Sequence, residues 1–206
     1  MLIEVLLRNP LLFLIIAIPL LYAIILHEVA HAYVAYIMGD RSQRWYGRMS
    51  LNPLRHLDPV GTLTLFLFGF GWAKPVPVNF LTLRDRRLGF ILVSGAGIGA
   101  NIILAFFSLL FLKLLSPYPS SILSLFLSYF AKVNLLLASF NLIPIPPLDG
   151  SKILLGFSSG NLRYALMRIE PYGFYIIIAL LLLGILDPLH DFIRWFLTLI
   201  IDSIIS

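Results

Sequence analysis

The chain has 206 residues, 60% of them hydrophobic and 12% charged, with a net charge of +5, no cysteine and a mean hydropathy of +0.95. Soluble domains carry about 25% charged residues, so this balance excludes an ordinary soluble protein and predicts an all-α polytopic membrane protein of one compact domain, 1–206. Disulfides and thiolate metal sites are excluded, and the basic residues fall in short loops beside apolar runs, as membrane orientation rather than nucleic-acid binding requires.

The first long helix is expected over residues 10–38, with Pro10 in its first turn, a bend at Pro19 and a stop at Gly39-Asp40. Arg8 followed by apolar residues imitates a signal peptide, but the run passes into His27-Glu28-Val29-Ala30-His31 without a small-residue cleavage site, so no cleavage is expected. Histidines four apart lie about 40° from each other on one helical face. Both rings can therefore reach one tetrahedral metal, while Glu28 stays free to act on water. An ionised side chain at the membrane centre costs about 2.5–3.5 kcal/mol. That favours a metal role over an incidental one.

Residues 40–58 turn basic, with Arg41, Arg44, Arg48 and Arg55, and Arg44 to Asn52 is expected to hold a short surface strand or hairpin. Leu57 to Trp72 is apolar but short and broken by Gly61, Gly69 and Gly71, which predicts a re-entrant or interfacial piece. Ala73 to Asn79 contains Pro75 and Pro77, so it is an edge strand or an extended segment, able to accept a substrate backbone alongside Val76 to Asn79. Leu88 to Leu115 is a second span whose Ser94, Gly95, Gly97 and Gly99 permit close approach of a neighbour. After a tight turn at Pro117-Tyr118-Pro119, a third span covers Ile122 to Leu142, with Asn134 and Asn141 on one face. Within it Lys132 requires snorkelling or a carboxylate partner. The core, 10–157, is then followed by C-terminal helices within 171–205: a short fourth span at Tyr172 to Leu186 and an amphipathic helix over Leu189 to Ile205. Trp45, Trp72 and Trp195 read as interfacial anchors.

A catalytic zinc needs a third protein ligand, and His56, Asp58, Asp149, Asp187 and His190 are candidates. Asp149 is favoured because a proline run (Pro144, Pro146, Pro147) holds it after a helix end and Gly150 permits a sharp turn; its competing role is a helix N-cap. The loops 40–56, 74–87 and 152–168 are basic, whereas 114–120 lacks charge, so the first span runs out-to-in, the second in-to-out and the third out-to-in. His27, His31 and Asp149 then approach the same, cytoplasmic, side.

Together, His27-Glu28-Val29-Ala30-His31 and Asn141-Leu142-Ile143-Pro144-Ile145-Pro146-Pro147-Leu148-Asp149-Gly150 resemble the paired HExxH and NxxPxxxxDG motifs of the site-2 proteases, intramembrane zinc metalloproteases of peptidase family M50. The similarity extends through Leu51 to Gly61, Gly71 to Pro77 and Asn101, and is to the short prokaryotic members without a PDZ domain. The resemblance implies one Zn2+ per chain on His27, His31 and Asp149, Glu28 as general base, and oxyanion donors at Asn141 and less firmly Asn101. It also implies transmembrane protein or peptide substrates within a lipid bilayer, no nucleic acid, and a prokaryotic inner-membrane location with the zinc toward the cytoplasm. Where the family often has Gly-Pro-x-x-Asn, this chain reads Gly97-Ile98-Gly99-Ala100-Asn101, which leaves the local bend open but keeps the asparagine. His56 either caps the vacant zinc position or sits at the interface, the second being favoured. The rival functions are a metal or ion transporter, which needs ligands repeated over several spans, and an inactive scaffold of the same fold.

Overall fold

In the computed structural model, which describes residues 2–68, 71–116, 118–119 and 121–205, a short helix α1 (Leu2–Arg8) leads through Asn9 into α2 (Pro10–Met38). The Asn9 side chain accepts the Leu12 N–H at 3.0 Å and Pro10 occupies the first turn, so two of the usual start signals act together. Helix α2 continues through the buried Pro19 and ends at Gly39, whose φ of 121° few other residues adopt. Beyond it lie α3 (Ser42–Trp45), a 3-10 turn at Pro53–Arg55 and α4 (Pro59–Phe68).

The second and third long helices are α5 (Arg86–Leu115) and α6 (Ile122–Asn141), capped by the Asp85 and Ser121 side chains respectively. The chain then forms α7 (Asp149–Phe157), α8 (Gly160–Ile169), a 3-10 turn at Glu170–Tyr172, α9 (Gly173–Leu182) and α10 (Asp187–Ile205). Among the described residues, four helical stretches are long and apolar enough to cross a membrane: α2, α5, α6 and the run Gly160–Leu182.

Helices α2, α5 and α6 pack against one another, the three-helix core expected from the sequence. Their contact surfaces are built from small residues: Ala23, Ala32, Ala35, Ala105 and Ala138 have no exposed surface. Large side chains such as Leu11, Ile103, Phe107 and Phe111 point outward. Lipid exerts no hydrophobic push between helices, so close contact of small residues holds such a bundle together. Helix α10 adds Leu197 and Ile201 to the cluster formed by Ile98, Ala105, Leu135 and Ala138, so its apolar face packs inward.

Three expectations are corrected. Among the described residues the β content is one antiparallel bridge, Leu57 with Ala73. In place of a strand or hairpin over 44–52 there are α3 and turns, because Arg48 and Gln43 give their side-chain donors to residues 55, 75 and 77 and take over the work of a ladder. The fourth candidate span begins at Gly160 rather than Tyr172, since Pro171 is accommodated at the start of a 3-10 turn that joins two helices without a loop. Gly69 and Pro117, from the expected re-entrant piece and the tight turn, lie outside the described residues.

Candidate metal centre

Helix α2 sets His27 and His31 one turn apart, and both are buried, each 7% exposed. Their orientation is fixed from behind by α5. His31 Nδ1 lies 2.7 Å from the Val93 carbonyl oxygen, which can only accept, so Nδ1 carries the proton and Nε2 presents its lone pair. His27 Nδ1 lies 2.6 Å from Asn101 Oδ1. The Asn101 amide cannot be reversed, because its Nδ2 donates to the Ala23 carbonyl at 3.2 Å and to Asn134 Oδ1 at 2.7 Å. His27 Nε2 is therefore also left as a lone pair.

Asp149 arrives from the other side in the first turn of α7. Leu148, not Asp149, is the N-cap, so the carboxylate is not spent on capping. Gly150 is required here for close approach: a Cβ would stand 2.3 Å from the Leu142 carbonyl oxygen. Asp149 Oδ2 lies 3.2 Å from His27 Nε2 and 3.0 Å from His31 Nε2, and the two Nε2 atoms are 2.9 Å apart.

With both imidazoles neutral, three acceptor atoms converge with no proton to share among them. Such a triangle is repulsive unless a cation sits against it. Zinc with bonds of about 2.0–2.2 Å places tetrahedral ligands about 3.3 Å apart, close to the separations found, and N2O donor sets are of its kind. The donor set fits a zinc ion. With the Glu28 carboxylate beside it, two negative groups offset a dication and lower the penalty of burying it.

This chain is 39% identical over 187 residues to the Bacillus subtilis protein named "Putative zinc metalloprotease YwhC", a match covering 87% of this chain and 84% of that relative. The chain belongs to peptidase family M50, the site-2 proteases. It is a zinc metalloprotease and an integral membrane protein. The sequence pattern described as Peptidase family M50 matches residues 113–184. The Mycolicibacterium smegmatis "Putative zinc metalloprotease Rip2" is 31% identical over 191 residues, covering 87% of this chain and 69% of the relative. A Methanocaldococcus jannaschii relative, "Putative zinc metalloprotease MJ0611", is 33% identical over 136 residues, covering 63% of each. No solved structure gives a significant match.

Of the five candidate third ligands, only Asp149 joins the histidines of this M50 chain among the described residues. Asp58 caps α4 through the Gly61 N–H at 2.8 Å, and Asp187 lies in the first turn of α10. His190 lies 3.7 Å from Asp191. His56 is fully buried with Nε2 2.6 Å from the Ser50 carbonyl oxygen, so it holds the 50–56 loop and does not join the metal group. Asn141 gives one amide proton to the Leu137 carbonyl of its own helix at 3.0 Å. Asn101 has no donor left over.

Several contacts were not assigned from the sequence, although Gly97 was marked there for close approach and Val76 to Asn79 as extended. A Cβ on Gly97 would stand 2.4 Å from His31 Nε2 and 2.6 Å from His27 Cε1, so α5 can back the imidazoles only through a glycine. The Val76 N–H donates to Glu28 Oε2 at 3.1 Å. On either side of Val76 a buried side chain holds a proline carbonyl: Arg48 Nη2 that of Pro75 at 2.9 Å, and Gln43 Nε2 that of Pro77 at 2.9 Å. Asp40 completes the clamp by accepting from Asn79 N–H and Gln43 Nε2, each at 2.8 Å. Burial raises the Asp40 pKa, but hydrogen bonds from Ser42, the Asn79 amide and Gln43 outweigh it and hold the carboxyl below its usual range. Burial pulls the Arg48 pKa down, and the nearby Glu28 carboxylate works against that. The only sequence signals for this clamp were the two prolines, which mark the segment as extended.

Proposed function

We propose that this metalloprotease is an intramembrane endopeptidase that hydrolyses peptide bonds in or near transmembrane segments of other membrane proteins. His27, His31 and Asp149 hold the zinc. When bound, the ion supplies a Lewis acid that acidifies water and polarises a carbonyl. Glu28 receives the proton of the attacking water on the carboxylate oxygen that Val76 leaves free, and returns it to the leaving amine. Asn141, with one amide proton uncommitted, donates to the developing oxyanion. Asn101 and Val93 hold the imidazole tautomers, so Asn101 is a positioning residue. The extended segment 75–79 lies beside Glu28, and the substrate backbone, once unwound, is received alongside it. The zinc centre faces the cytoplasmic side, in keeping with the basic loops at that end of α2, α5 and α6.

The observation that carries this reading is the convergence of the His27, His31 and Asp149 acceptors within the packed faces of membrane-crossing helices. The test is cleavage of a model transmembrane substrate in detergent by the native chain, Glu28→Gln and a chelator-treated sample. Cleavage by the native chain alone is expected. Equal activity in all three would overturn the proposal.

A further inference from the structure

The bundle contains two polar residues near the middle of α6, and they are treated in opposite ways. Asn134 is fully buried and hydrogen-bonded to Asn101 and to the Phe130 carbonyl, at 2.7 and 2.8 Å. Lys132, two residues earlier, points the other way and is exposed. Among the described residues it has neither an ion pair nor a hydrogen bond. Lys132 is the eleventh residue of a 20-residue helix, so its Cα lies about 15 Å from one end and about 14 Å from the other. A lysine side chain reaches about 6 Å, too short to bring the ammonium to water from the centre of a hydrocarbon layer about 30 Å thick. Ser128, one turn earlier on the same face, is also exposed, with Leu125 and Leu136 flanking the pair at 44% and 43% exposure.

An ammonium on the lipid-facing side of a span requires an anion at its own depth. Among the described residues no such anion meets Lys132: in α10, which packs on α6, Asp187 lies in the first turn, Asp191 pairs with Arg194, and Asp202 lines a cleft with Lys113. Among the described residues Glu28 is the one carboxylate of α2, α5 and α6, and it is engaged by Val76. Glu170 lies in the turn between α8 and α9, not within an uninterrupted helix. We infer that the Ser128–Lys132 face of α6 is a docking surface for a transmembrane helix of a second protein that carries an aspartate or glutamate near its centre. The partner's carboxylate accepts from the Lys132 ammonium and the Ser128 hydroxyl, while its apolar residues pack on Leu125 and Leu136. The surface lies on the side of α6 away from the Asn134–Asn101–His27 chain, so docking and the metal centre are separate features of the bundle. The inference does not depend on the catalytic reading.

The test uses the full chain in phosphatidylcholine vesicles with a donor dye on Leu123→Cys, a lipid-facing position in a chain with no native cysteine. The probe is an acceptor-labelled leucine–alanine transmembrane peptide about 24 residues long with Asp, Asn, Leu or Lys at its centre. Energy transfer is read against peptide mole fraction. The Asp peptide is expected to bind at least about tenfold more tightly than the Leu peptide. Lys132→Met should remove that preference, and Lys132→Glu should transfer it to the Lys peptide. Equal binding of the four peptides would overturn the inference. So would reaction of the Lys132 amine with a membrane-impermeant reagent, which would show that it reaches water, or a Lys132-dependent dimer of the chain in place of peptide binding.

Discussion

The amide of Val76 donates to the carboxylate of Glu28 across 48 residues of sequence, at 3.1 Å. Val76 stands between two prolines, neither of which has an N–H to offer, so this donor is the one that stretch can aim at the carboxylate. A hydrogen bond to a charged group contributes about 1.5–3 kcal/mol. Val76→Pro removes the donor while keeping the segment extended, and should lower kcat roughly 10- to 100-fold with little change in KM. Val76→Ala, which keeps the N–H, should behave like the native chain in a cleavage assay.

Asn101 is expected to matter for metal affinity more than for turnover. It holds His27 in the tautomer that offers Nε2, and losing such a partner weakens a metal site by about 10- to 100-fold. Asn101→Leu should therefore lose zinc to a competing chelator at about 10- to 100-fold lower chelator concentration. Its zinc-saturated form should retain most activity. An unchanged zinc affinity would count against the positioning role.

The glycines of α5 provide an internal control. Gly97→Ala places a methyl group 2.4 Å from His31 Nε2, whereas a Cβ at Gly95 or Gly99 meets nothing within 4 Å. Gly97→Ala should abolish zinc binding, and Gly95→Ala and Gly99→Ala should leave zinc content and Tm as in the native chain. Zinc analysis of the three purified variants checks this.

The Asp40 clamp should respond to acid. An unfolded aspartate titrates near pH 3.9, and the folded Asp40 titrates lower. Its stabilisation of residues 73–79 is therefore fully present above about pH 4 and is lost as pH falls through the folded value. Hydrogen exchange of the Asn79 amide, which Asp40 accepts, should accelerate over that window. In Asp40→Asn the acid-dependent component should disappear.

Much of this arrangement was legible in the sequence because it obeys one-dimensional rules. The bounds of α2 followed from Pro10 and Gly39, and the HExxH spacing named both imidazoles before any fold was known. Asp149 was legible because prolines and Gly150 advertise a fixed turn. What stayed hidden were pairings of side chains with distant backbone. Arg48 fell within the surface strand or hairpin expected over Arg44 to Asn52 and Gln43 carried no signal, yet both are buried against residues 75 and 77. The family resemblance, not the residue's surroundings, suggested Asn101 as an oxyanion donor; only the positions of Ala23, Asn134 and His27 reveal that its amide is fully committed. His56 could not be separated from a ligand by residue type alone.

The central claim is that one zinc is held by two imidazoles and the Asp149 carboxylate. X-ray absorption at the zinc edge, with metal analysis, tests it most directly on the native chain, Asp149→Ala and Glu28→Gln. The account predicts one zinc per chain with two nitrogen and one carboxylate protein ligands in the native chain, loss of that zinc in Asp149→Ala, and an unaltered zinc with no cleavage in Glu28→Gln. Full zinc occupancy with the same coordination in Asp149→Ala would contradict it.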